Sequence, residues 1–380
     1  MNSRIHFLTL YDESAPSSRI RIYQFLPYFK REGYTVSVYP LLSGRGPQFV
    51  FSSFANSKNP FSLLPAVLYI AVAYFKRWFH VMAAWRADIV VVQKDVLPLG
   101  LSLFLRLGQR RIVYEFDDPI WISHPGAGGN LGWVGRFIAA YRKTLLIKIL
   151  KHSSLVIVDN DFLHKFARKY CAKVLTLTSP IDTKVYSVVR DTTKRLGSFG
   201  WIGSPSSTYL LTNLLPMLEQ LAKRYPFTLF NIGGSPIKSE HFETENIEWS
   251  ITNEKKFLAI TDVGLMPWDH GEFNSHRFGY KSVIYSCAGV PTLAPDIGIN
   301  RLTVQDGITG VLYDPDHPDD FVEKAMQLLK DPAWRTKLGD GARKFAEKNH
   351  ATDLLAAKYL NSVGELLSEL RADQSTKRAA

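Results

Sequence analysis

Short runs of β-branched and aliphatic residues alternate with helix-period stretches along most of this chain, and they do so in two successive series. The first series is Ile5–Leu10, Thr35–Tyr39, Ile89–Val92, Ile112–Phe116, Leu155–Val158 and Val174–Leu177. Helical stretches fall between most of these runs, beginning with Ser18–Arg31. The second series is Leu196–Gly200, Phe227–Ile232, Val263–Met266, Val290–Leu293 and Gly310–Leu312. Strands that are apolar throughout need cover on both faces, and parallel neighbours need a crossover that is usually a helix. The pattern therefore predicts an α/β chain of two Rossmann-like domains facing each other across a cleft. The stretch Thr178–Arg195 breaks the alternation with proline, aspartate and a charge cluster, so it reads as the interdomain linker. The expected division is residues 1–180, residues 181–350, and a C-terminal segment 351–380. In that last segment the amphipathic stretch Leu354–Leu370 crosses back to the first domain, and a polar tail follows it.

Composition narrows the classes. A hydrophobic fraction of 46% over 380 residues excludes overall disorder and supplies two cores. Two cysteines, Cys171 and Cys287, lie far apart with no metal-ligand spacing, which fits a reducing compartment. The opening MNSRIHFLTLYDES turns polar too soon for a signal peptide, so a cytoplasmic protein is expected. The net charge of +11 calls for an anionic partner. Nucleic acid is disfavoured because the basic residues are dispersed and no nucleic-acid motif is present. In 61–86, FSLLPAVLYIAVAYFKRWFHVMAAWR, the apolar run Leu63–Phe75 ends at Lys76 and Arg77. It is shorter than the ~18–20 residues that span a bilayer. Two readings remain open: a core-packing helix with a solvated basic end, or an interfacial helix on an anionic membrane surface. Trp133–His152 has the same basic and aromatic character.

Candidate functional residues lie where strands meet helices. No G-x-G-x-x-G follows the first strand, which removes the main support for a nicotinamide or flavin cofactor. There the chain reads YDESAPSSRIRIY, with Ser17 or Ser18 as a helix cap and Arg19 and Arg21 in the first turn. Cations at that end oppose the helix dipole, so an anionic ligand, a nearby carboxylate or solvent must compensate. The fourth strand runs into Asp117 and Asp118, and carboxylates at the end of a parallel strand face the ligand side of the sheet. Close carboxylates raise each other's proton affinity, which suits an acid handling an acceptor proton. A helix cap before Pro119 is the plain alternative. His124, in the loop ISHPGAGGN, is a weaker candidate.

In the second domain Gly203, Ser204 and Ser207 follow a strand and open a helix, an arrangement suited to a diphosphate or simply to a capped turn. Gly233 ends the next strand. Trp268 and Asp269 end the one after, the ring serving as a stacking surface or as a core aromatic. Arg277 and Lys281 are four residues apart, so a helix over Arg277–Ala288 puts both cations on one face of its first turn.

The ordered series DVGLMP, YK, AGVPTLA and DGITGVLYDP within Asp262–Asp314 resembles the C-terminal half of the glycosyltransferase group 1 family, with the likeness dense over 196–350. The resemblance implies the GT-B fold and retaining transfer from a nucleotide-diphosphate sugar to a saccharide or lipid-linked saccharide, without cofactor or metal. It also puts Gly203–Ser207 at the donor-phosphate loop and makes bacterial cell-envelope polysaccharide synthesis the expected setting. This chain departs from the family pattern in two places. The donor loop lacks the usual arginine and lysine. The paired glutamates spaced by seven residues fall on His276 and Ile284, and isoleucine cannot accept a ribose hydrogen bond. A non-catalytic sugar-nucleotide or polyanion binder, or a sugar-nucleotide epimerase on the same fold, therefore stands as an alternative.

Overall fold

The structure, a computed structural model, describes residues 3–55, 60–108, 111–122, 132–187 and 197–379. It divides into two compact units, Met1–Pro180 with Thr352–Ala380, and Ile181–Ala351.

The first unit holds six parallel strands: β1 (Arg4–Tyr11), β2 (Thr35–Leu42), β3 (Ile89–Gln93), β4 (Ile112–Phe116), β5 (Leu155–Val158) and β6 (Val174–Thr176). Their order across the sheet is β2-β1-β3-β4-β5-β6. Period-2 alternation sorts the side chains onto two cores. Val90, Val92, Tyr114 and Val156 pack on helices Leu64–Ala84, Leu101–Gly108 and Gly132–His152. Phe7, Val91, Val113 and Ile157 pack on Phe25, Phe29 and the C-terminal helix Thr352–Ala379. The expected single helix over Ser18–Arg31 is broken into Pro16–Arg21, a 3-10 turn Tyr23–Phe25 and Leu26–Arg31. Pro27 explains part of this: with no N–H and a fixed φ it sits in the first turn of the last piece, where a new helix starts.

The second unit holds β7 (Gly197–Ile202), β8 (Phe227–Ile232), β9 (Glu243–Ile247), β10 (Val263–Leu265), β11 (Thr292–Pro295) and β12 (Gly310–Tyr313). Its order is β12-β11-β10-β7-β8-β9, also parallel throughout. Phe199, Trp201 and Leu229 face helices Thr208–Ala222 and Pro318–Lys330. Ile202, Phe230 and Met266 face Ile251–Ile260 and Tyr280–Cys287. β9 has no counterpart in the sequence reading. It is the polar edge strand ETENI, more exposed than the other strands of this sheet, and it lacks the apolar run that marks a buried strand. β11 begins two residues later than expected. Val290 belongs to the preceding helix end, where its N–H reaches the Tyr285 carbonyl at 2.9 Å around Gly289 at φ +68°.

Both sheets have a switch point, where successive connections leave in opposite directions and parallel-sheet proteins hold ligands. It lies between β1 and β3 in the first unit and between β7 and β10 in the second.

Candidate functional site

At the switch point of the first unit the carboxyl ends of β3 and β4 bring Lys94 between two carboxylates. Its Nζ lies 2.6 Å from Asp117 and 2.6 Å from Asp118. Ser17, from the helix after β1, accepts from Lys94 at 3.1 Å and donates to Asp117 at 3.3 Å. Four polar side chains thus converge from three strand ends. Burial works against the charge on Lys94, but Asp117 and Asp118 outweigh it and hold the amine protonated above its ordinary range. The expected mutual influence of two bare carboxylates is corrected by this shared cation. The backbone at this corner is strained: Lys94, Leu97 and Leu99 have φ of +58°, +46° and +57°. Three non-glycine residues in the left-handed region within six positions mark a loop whose shape is imposed by its surroundings.

Beneath this corner lies a buried ionic layer. Arg21 is 1% exposed, donates to Glu115 at 2.6 Å and to the Leu177 carbonyl at 2.7 Å. Arg21 is therefore a buried support of the sheet end. The short helix runs Pro16–Arg21 with Ala15 as its N-cap, so the expected serine cap and first-turn cations are corrected: Arg19 and Arg21 fall in the last turn, where a cation does not oppose the dipole. Burial pushes Glu115 up to about 7 against the pull of Arg21, and burial likewise raises Asp159 well above the usual carboxylate range. Arg19 is half-buried and donates to the Ser14 carbonyl at 3.4 Å. His124 lies outside the described residues.

In the second unit the loops after β7, β8 and β10 pack on one another. The Gly203 N–H donates to the Ile232 carbonyl at 3.0 Å, and a Cβ on Gly233 (φ +79°) would stand 2.5 Å from the Gly203 oxygen. The close approach that these glycines permit is between two loops of the protein. Ser207 is buried and its Oγ accepts from the Ser204 N–H at 3.0 Å, so its hydroxyl closes the turn instead of standing open to a diphosphate. Ser204 is exposed. Asp269 accepts from Gly271 N–H and from Asn274 Nδ2, both at 2.9 Å, and Asn274 also donates to Tyr209 at 3.0 Å. These bonds tie the loop after β10 to the helix after β7. Trp268 is 8% exposed and packs within the core.

The helix expected over Arg277–Ala288 starts at Tyr280. Phe278 is buried and Gly279 has φ −80° and ψ 58°, a non-helical turn, so Arg277 precedes the helix and does not share its face with Lys281. The two cations still sense each other. Burial first, and Arg277 second, pull Lys281 down to about 7. Its Nζ stands 4.7 Å from the centre of the Trp201 ring on β7, and among the described residues no carboxylate pairs with it. Arg277 lies 5.8 Å over the Phe273 ring. Ile284 is buried in the core, while His276 is half-buried and lowered by burial.

The sequence reading missed Lys94 and Tyr285. Lys94 had a signal: a charged residue directly after the uninterrupted run IVVVQ, at the ligand end of a central strand. Tyr285 had none. Its hydroxyl accepts from Ile202 N–H at 2.9 Å and donates to the Gly200 carbonyl at 3.1 Å, bracing the end of β7 from a helix 83 residues away.

The family described as Glycosyl transferases group 1 matches residues 250–345, the stretch that carries Asp269, Arg277 and Lys281. This segment is similar to the group 1 glycosyltransferases. Similar over 98 residues, at 35% identity, is a D-inositol 3-phosphate glycosyltransferase of Nocardiopsis dassonvillei, covering 26% of this chain and 21% of that protein. TuaH of Bacillus subtilis, named for teichuronic acid biosynthesis, is 21% identical over 61% of each chain. These matches span less than two thirds of either relative's own length. Among solved structures, sucrose-phosphate synthase of Thermosynechococcus elongatus superposes with a TM-score of 0.71 at 13% identity, covering 97% of this chain and 100% of that one. Anabaena HepE in complex with UDP gives 0.63 at 13%, covering 95% and 100%. Two parallel six-stranded sheets wrapped by helices are the GT-B fold of these glycosyltransferases.

Proposed function

We propose that this chain is a retaining glycosyltransferase that takes a sugar from a nucleoside diphosphate and delivers it to a saccharide or lipid-linked saccharide. The setting is bacterial cell-envelope polysaccharide synthesis, at the cytoplasmic face of the membrane. One observation carries the donor half: Lys281 stands at the switch point of the second unit over Trp201, beside Arg277, with no carboxylate partner among the described residues. A lysine pulled down to about 7 by burial regains its charge when an anion arrives, and a diphosphate supplies one. The HepE structures with UDP and UDP-glucose, and TuaH's name, support a nucleotide-sugar donor and an envelope polymer. The acceptor half rests on Ser17, Lys94, Asp117 and Asp118, with one carboxylate receiving the acceptor hydroxyl. Departure of the diphosphate would be favoured by Lys281 and Arg277, through charge stabilisation.

A panel of nucleoside diphosphates in thermal unfolding tests the donor half. A diphosphate at a hundredfold excess over its dissociation constant stabilises by ~2.7 kcal/mol. Lys281→Ala should weaken the diphosphate far more than the parent nucleoside. If no diphosphate shifts the melting point, the reading fails. Ile284, where the family resemblance implies a glutamate, keeps a second reading in play: a binder without turnover, which would release no nucleoside diphosphate from any donor.

A further inference from the structure

Helix Leu64–Ala84 is packed inside out. Its buried positions are Ala66, Ala73, Arg77, Val81 and Ala84, small residues and one cation for the most part. Tyr74 and Trp78 pack partly buried against the core, but its other large apolar side chains point to solvent on one side: Leu68 is 57% exposed, Phe75 66% and Phe79 54%, with Leu64 and Met82 beside them. A helix that packs only against its own domain shows the reverse, with large apolar residues inward and polar ones outward. The face continues on the neighbouring helix Leu101–Gly108, which meets it through Trp78 and Phe104 at 5.1 Å and presents Leu103 at 55% and Leu107 at 74% exposure. Phe137 and Tyr141 extend it on helix Gly132–His152. Isolated exposed apolar residues are ordinary, but a stripe shared by three adjacent helices marks an interaction surface.

Charge identifies the occupant. Residues 33–87 and 119–158 contain no aspartate or glutamate, and none of the three helices carries one. Exposed Lys76, Arg86, Arg106, Arg142, Lys143 and Lys148 accompany the apolar side chains. The whole positive excess lies in this unit, which has 27 lysines and arginines against 14 aspartates and glutamates. The second unit has 19 against 21. Among the described residues no helix is long and apolar enough to cross a membrane. We infer that this face of the first unit docks on the surface of an anionic lipid bilayer, with Leu68, Phe75, Phe79 and Leu107 entering the acyl boundary and the basic side chains on the headgroups. A second protein chain of acidic character is disfavoured because the most exposed apolar side chains, Leu68, Phe75, Phe79, Leu103, Leu107 and Phe137, have nothing to hydrogen-bond, with Trp85 and Tyr141 less exposed among them.

Co-sedimentation of the full chain with vesicles tests this without any donor or acceptor, so its failure leaves the diphosphate reading of the second unit untouched. The protein should pellet at least roughly tenfold better with phosphatidylglycerol–phosphatidylcholine vesicles than with phosphatidylcholine alone. Leu68→Ser/Phe75→Ser/Phe79→Ser should lower binding to the anionic vesicles by about tenfold or more with an unchanged melting point, since all three side chains are exposed. Leu103→Ser/Leu107→Ser, on a separate helix, repeats the test should the first variant fold poorly. Arg142→Glu/Lys143→Glu should reduce binding in the same direction. The inference is overturned if the parent ignores anionic vesicles or if both serine variants bind as well as the parent. A stable dimer in ultracentrifugation that the serine substitutions dissociate would overturn it too, because the face would then be occupied by a second copy.

Discussion

Lys94 combines three properties that seldom meet in one residue: a left-handed backbone, a charge held between two carboxylates, and a place at the end of a central strand. The strain at φ +58° is of order 1 kcal/mol and is carried by the ion pairs and by the loop that follows. Lys94→Ala removes the cation and leaves Asp117 facing Asp118. The expected loss is about 2 kcal/mol in chemical unfolding, with much of it restored by adding Asp118→Asn. An unchanged midpoint for Lys94→Ala would mean the pairing carries no stability. Lys281 makes the opposite case, a cation with a ring beneath it and no carboxylate partner among the described residues. Its pKa of about 7 fixes the sign of a pH effect. Above pH 7 the free amine is increasingly neutral, and a bound diphosphate favours the charged form. Binding of UDP must then take up close to one proton at pH 8, and affinity must fall as pH rises from 7 to 9. Calorimetry in two buffers of different ionisation enthalpy reads the proton directly, and Lys281→Arg should flatten the profile. Proton uptake near zero at pH 8 would separate Lys281 from the phosphate.

At the scale of the element, helix Leu64–Ala84 is held by its one buried cation. Arg77 pairs with Asp95 at 3.0 Å and donates to the carbonyls of Thr9 and Tyr39 at 2.6 and 2.8 Å, so it joins the helix to the ends of β1, β2 and β3. Sequence alone put Arg77 with Lys76 at the basic end of an apolar run; in the fold only Lys76 is exposed. Arg77→Leu should destabilise the protein by about 3–5 kcal/mol, the range for stranding one partner of a buried pair, whereas Lys76→Leu should be near neutral. Urea titration of the two variants separates them, and equal midpoints would refute the assignment. The same element shows what can be read in advance. Strands buried on both faces, such as IVYEF and LVIV, were legible because nothing else makes short apolar runs bounded by charge. β9 was not, because an edge strand needs no apolar face. The start of the helix at Tyr280 was not, because the turn at Gly279 is set by tertiary contacts. A Cβ there would stand 3.1 Å from Thr303. The site followed the same rule: strand ends located its corners, but which side chains the loops turn inward depended on packing between distant segments.

On the scale of the whole molecule, the chain begins in the first unit, passes through the second and returns to complete the first. The returning helix Thr352–Ala379 is part of a core. Tyr359 meets Phe25 and Phe29 edge-on at 5.3 and 5.1 Å, and Leu355, Val363 and Leu366 are buried with it. Fully burying one such side chain contributes about 1.5–3 kcal/mol, so removing four withdraws about 6–12 kcal/mol, as much as the ~5–15 kcal/mol by which most domains resist unfolding. A chain ending at Ala351 should therefore lose the cooperative unfolding of its N-terminal unit while keeping that of residues 181–351, which the helix does not complete. Calorimetry and limited proteolysis would show one surviving transition and one resistant fragment that holds the second unit. If the truncated chain kept both transitions, the helix would be an appendage and the first unit would stand on residues 1–180 alone. The direction of the effect matters for function as well. The unit that loses its core carries Lys94, Asp117 and Asp118, while Lys281 and Trp201 sit in the unit that keeps its own. On the proposed function, truncation should then abolish transfer to an acceptor and leave diphosphate binding within a few-fold of the full chain.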